Sequence, residues 1–129
     1  MKHFALVLAL LVCGTLAWAA DPQPYDEAAI DGIMSSNSAE VQAVKKGIEA
    51  GDWTSVAHSF IQFSQNAEKA LTYAPPKGDV SDWQKIWTNF KFEAYQGVGA
   101  AGEKDAAKAK AALNQLLGDR GKGHREFRG

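Results

Sequence analysis

Cysteine is nearly missing from this chain: the single one, Cys13, falls within the first twenty residues. Residues 21–129 therefore contain no disulfide, no thiolate metal ligand and no cysteine nucleophile. A large excess of either charge is missing as well. Fourteen Lys and Arg against fifteen Asp and Glu give a formal net charge of −1, with no basic stripe, which argues against nucleic acid as a partner. No apolar run is long enough to span a bilayer, which takes roughly 20 residues. No segment shows the strict alternation of a half-buried strand. No Ser-His-Asp arrangement, glycine-rich phosphate loop or zinc-binding helix motif is found, so the chain is not expected to be an enzyme.

What is present begins with a leader. Sixteen of the first twenty residues are apolar, and they hold one Lys and no acid. Lys2 supplies the positive start, Phe4 to Val12 the apolar run, and Ala17-Trp18-Ala19 a small-x-small cleavage site. This is the pattern of a secretory signal peptide over residues 1–20, and it predicts a periplasmic protein with one domain over residues 21–129. Loss of Lys2 with the leader takes the formal charge from −1 to −2. A lipoprotein anchored through Cys13 is disfavoured, because Val12 is a poor residue directly ahead of such a cysteine.

Helical spacing then recurs four times. Ile30, Ile33, Met34, Asn37, Val41, Val44 and Ile48 share one face of a first helix predicted from about Ala28 to Ala50. Gly51 suits the left-handed position after that helix, and Asp52 can cap the next. Trp53, Val56, Phe60, Phe63, Ala67, Ala70 and Leu71 form the stripe of a second helix, predicted to reach Tyr73. Pro75-Pro76 stops helical structure, since proline lacks an N–H and clashes with the preceding turn. Ser81 is the expected cap of a third helix carrying Trp83, Ile86, Trp87, Phe90, Ala94 and Val98. A fourth starts near Glu103 and Asp105, acids suited to the positive end of the helix dipole, and continues through Ala109, Leu113, Leu116 and Leu117. Short links between four amphipathic helices predict an all-α, antiparallel, up-down-up-down four-helix bundle. Gly118, Gly121 and Gly123 each weaken a helix by about 1 kcal/mol relative to Ala, so the fourth helix is expected to end or loosen near Leu117.

The tail carries the most specific pattern. Arg120-Gly121-Lys122-Gly123-His124, followed by Phe127-Arg128, resembles the haem-attachment end of the cytochrome c′ (class II cytochrome c) family, with Arg120 and Gly123 standing at the two cysteine positions. Lys85-Ile86-Trp87 with Phe90 and Phe92 resembles that family's third helix. Asp31-Gly32-Ile33-Met34 resembles the first-helix segment that presents a Met to iron in its low-spin members. The resemblance implies a cytochrome c′-like bundle that binds haem and transfers electrons or binds small gases. It implies His124 as proximal and Met34 as distal iron ligand, Arg128 as the closing arginine of the motif, and Trp87 and Phe90 among the haem-walling aromatics. Redox protein partners and a homodimer are further expectations of the resemblance. Thioether bonds need thiols, so haem c is excluded, and any haem is expected to be of b type, held non-covalently. The alternative is a haem-free descendant that serves as a binding or structural protein of the periplasm. The haem-binding reading predicts an ordered helix through Phe127 and a cavity between His124 and Met34. The haem-free reading predicts a collapsed core and a mobile end after Leu117. Asp31 departs from the family pattern, because an acid near a haem propionate repels it.

Overall fold

Each of the four helices begins at an aspartate. The computed structural model describes residues 21–128; the predicted leader with Cys13 lies outside the described residues. Helix α1 spans Glu27–Ala50, α2 Trp53–Leu71, α3 Val80–Gly102 and α4 Ala106–Phe127. The Asp26, Asp52 and Asp105 carboxylates accept hydrogen bonds from the backbone N–H groups of Ala29, Ser55 and Lys108 at 3.0, 3.1 and 3.0 Å. Such caps satisfy N–H groups that have no partner inside the helix. At α3 the cap is Asp79, not Ser81. Its Oδ1 accepts from the N–H groups of both Ser81 (2.7 Å) and Asp82 (3.2 Å), which starts the helix one residue before Ser81.

Gly51 takes the left-handed conformation, φ 68°, that ends α1, and two residues later α2 begins. Helix α2 stops at Leu71, two residues short of the expected Tyr73. There the Gln23 backbone pairs with the chain instead: Gln23 N–H donates to the Thr72 carbonyl at 2.8 Å and Ala74 N–H to the Gln23 carbonyl at 2.7 Å. The segment before α1 is thereby pinned to the loop between α2 and α3.

The helices pack α1 on α2, α2 on α3 and α3 on α4, whereas α1 and α4 meet only lightly. The all-α four-helix bundle is as predicted. Close approach of α2 and α3 depends on Gly97, where a Cβ would overlap the ring of Phe60. The core runs through Val44, Val56, Phe60, Phe63, Trp87, Phe90 and Leu116, all buried. One polar contact crosses it: Asn66 Nδ2 donates to Asn37 Oδ1 at 2.8 Å and to Ser36 Oγ at 2.9 Å. Asn37 thus sits on the apolar face of α1 because α2 supplies its partner.

The expected loosening after Leu117 does not occur: α4 continues through all three glycines to Phe127. Burial outweighs propensity here. Phe127 is 3% exposed, edge-on to Trp83 with centroids 5.1 Å apart. Burying a Phe side chain stabilises by about 1.5–3 kcal/mol, comparable to the summed helix cost of the glycines.

Candidate functional site

The light α1–α4 seam leaves a cavity of about 80 Å3 at the end of the bundle where α4 finishes. All five residues singled out from the sequence line it: Met34 from α1, Trp87 and Phe90 from α3, His124 from α4 and Arg128 just beyond. Trp87 and Phe90 are buried, Met34 and His124 half-buried, and Arg128 exposed at the mouth. The walls are mainly apolar, built from aromatic and aliphatic side chains. Trp83 and Trp87 stand edge-to-face with centroids 5.6 Å apart, as do Trp87 and Phe90 at 5.3 Å, the geometry such rings prefer. Trp83 is held by a hydrogen bond from its Nε1 to the Ala70 carbonyl, 3.3 Å.

His124 is one of the few polar side chains in this wall. Its Nε2 is buried and has no hydrogen-bond partner. Burial, and then the nearby Arg128 and Arg120 guanidinium groups, hold its pKa below the usual histidine value, so the ring is neutral at pH 7. A buried nitrogen without a partner costs about 1–3 kcal/mol, which a ligand offering the complementary group would offset. A neutral imidazole can make one hydrogen bond through that atom or coordinate a metal with it. Among the described residues no three His, Cys, Asp or Glu side chains gather into a metal site.

Trp83, one of the aromatic stripe residues, lines the cavity too, and so does Phe127, which the sequence marks only as part of the tail motif. Asp119 lines it too, and its Oδ2 is buried without a partner, as is Oε2 of Glu93 on α3. Nothing local in the sequence marks that pair, since its members are brought together only by the packing of α3 on α4. Asp31, the departure from the family pattern, lies at the same cavity on exposed α1 surface.

Haem fits this site in chemistry and not in size. The partnerless imidazole and the Met34 thioether are suitable iron donors. The space is about 80 Å3, against roughly 150 Å3 for an apolar cavity that takes benzene and roughly 300 Å3 or more for ordinary ligand pockets. Trp83 packs edge-on against both Trp87 and Phe127 in the wall of this space. Of the features expected of a haem-binding bundle, the helix through Phe127 and the cavity between His124 and Met34 are both present, but the cavity is small. The ordered helix end does not speak for haem, because Phe127 packing accounts for it.

No family model, no curated protein and no solved structure matches the chain. The resemblance to cytochromes c′ therefore rests on the tail, first-helix and third-helix residues quoted above. No helix among the described residues is long and apolar enough to cross a membrane.

Proposed function

We propose that this is an exported, non-enzymatic ligand-binding bundle, whose site is the cavity under His124. The ligand class is a small apolar molecule of about single-ring size with one group that hydrogen-bonds to the imidazole. The observation that carries this reading is the buried, partnerless His124 Nε2 facing a cavity lined mainly by apolar side chains. Aromatic side chains offer such a guest edge-to-face contacts, and the partnerless imidazole nitrogen sets its orientation. Entry of a ring requires the cavity to widen. Met34 is its flexible wall, a thioether chain with three rotatable bonds that adapts to irregular space. The weakly packed α1–α4 seam lies beside it.

Non-covalent haem is the second reading, favoured by one observation: His124 and Met34 line the same cavity. Bound haem would supply redox or gas-binding chemistry at its iron. In this reading His124 and Met34 are the coordinating residues and Arg128 a cation at the mouth, and the aromatic wall must open far more than a single-ring guest demands.

Parallel titrations of the purified protein separate the two. Phenol is expected to perturb the fluorescence of Trp83 and Trp87 saturably, toluene to bind more weakly, and hemin to give no Soret shift. Saturable phenol binding that is unaffected by His124→Leu would overturn the role given to the imidazole. A hemin Soret shift abolished by His124→Ala would replace the first reading with the second. No response to any probe would reject the cavity as a binding site.

A further inference from the structure

Where α3 and α4 meet, Glu93 and Asp119 lie within hydrogen-bonding reach of each other. Asp119 is 9% exposed and Glu93 is half-buried. Each has a fully buried carboxyl oxygen, Oε2 of Glu93 and Oδ2 of Asp119, with no hydrogen-bond donor from any other group. Two ionised carboxylates this close in a desolvated place repel each other and leave both oxygens unsatisfied. One proton held between them removes the repulsion and provides the missing donor.

We propose that Glu93 and Asp119 share one proton, and that this proton latches the second half of α4 to α3 and is released in alkaline solution. The charged surroundings allow this without supplying an ion-pair partner. Lys122 on α4 is the cation that acts on Glu93, and it only partly offsets the effects favouring the proton. Arg125 and Glu126 lie in the adjoining hollow with Asn89 and Ile86, which Asp119 and Lys122 also line. On α3, Lys91 is engaged with Glu68 of α2 at 3.7 Å. On the other side of Asp119, the cavity brings Arg120 and His124 from α4 and Asp31 from α1. Among the described residues no salt bridge to Asp119 or Glu93 forms.

Burial, then the hydrogen bond and charge of Asp119, push Glu93 from the ordinary 4.5 up to about 8. A raised folded-state value means that the proton stabilises the fold fully below pH 4.5, and that this contribution is lost as pH rises through about 8. The latch borders the cavity but does not depend on what the cavity binds.

Two measurements test it. In a carboxyl-carbon NMR titration of the intact protein, Glu93 should titrate with a midpoint near 8. Titration in the ordinary glutamate range would overturn the proposal. Thermal unfolding at pH 6.5 and pH 9 should show wild type losing roughly 5 °C or more at the higher pH. Glu93→Gln, whose amide donates permanently to Asp119, should show little change, and Asp119→Asn should likewise lose most of the pH effect. Hydrogen exchange of the α4 amides after Leu117 should speed up at pH 9 in wild type, beyond the intrinsic pH effect, and not in Glu93→Gln. An unchanged wild-type melting temperature, or the same loss in Glu93→Gln, would contradict the latch.

Discussion

Phe127 stands edge-on to Trp83, ring centroids 5.1 Å apart and planes at 87°, joining the last residue of α4 to the first turn of α3. Gly78, in the loop before α3, lies against the same ring: a Cβ there would come within 3.3 Å of it. Phe127→Ala should therefore cost about 3 kcal/mol or more, the usual range for deleting a buried ring. Urea denaturation measures this, and helix content after Leu117 should fall as well. A loss below about 1 kcal/mol would mean that α4 does not depend on this contact.

Glycine matters at one helix position and is dispensable at another. Gly97→Ala should destabilise by about 1–3 kcal/mol, because the new methyl meets the buried Phe60 ring. Gly118→Ala meets nothing within 4 Å on an exposed face, and should stabilise by about 1 kcal/mol. Thermal melts of the two variants should move in opposite directions.

Asn66 is 2% exposed and is the donor to Asn37. Asn66→Ala leaves the buried Asn37 oxygen without that partner, at an expected cost of about 1–3 kcal/mol. The double variant Asn66→Ala/Asn37→Leu should recover part of it. Strict additivity of the two substitutions in denaturant melts would show that the pair does not act as a unit.

His124 gives the fold a pH dependence of its own. Its folded-state pKa lies below the usual 6.5, so the unfolded chain takes up a proton more readily. The stability this histidine permits is present above pH 6.5 and declines as pH falls through the lowered folded-state value. Wild type should therefore lose stability relative to His124→Gln between pH 7 and pH 5. Parallel curves for the two proteins would contradict the buried, neutral ring. Glu93 is common to both proteins and cancels in the difference.

The fold was legible where local chemistry decides it. Gly51-Asp52 and Pro75-Pro76 marked the helix ends, and the stripe from Ile30 to Ile48 marked the buried face. Helix propensity counts Gly118, Gly121 and Gly123 but is blind to the burial of Phe127, so sequence alone ends α4 too early. Asp79 and Ser81 are both good caps by residue type, and the bonds from the Ser81 and Asp82 N–H groups select Asp79. His124, Met34, Arg128, Trp87 and Phe90 were legible through a motif resemblance, and they share one cavity. The size of that cavity was not legible, since it depends on how Trp83, Trp87 and Phe127 pack. Nor was the Glu93–Asp119 pair, whose members are 26 positions apart and ordinary in their local context.

In the proposed small-molecule site the imidazole of His124 is the polar anchor. Nitrogen-15 NMR of the histidine rings during a phenol titration tests it directly. A saturable shift of the His124 Nε2 resonance, with movement of the Trp83 and Trp87 indole signals and none at the exposed His58, is the predicted result. An unmoved His124 resonance at saturating phenol would contradict the account.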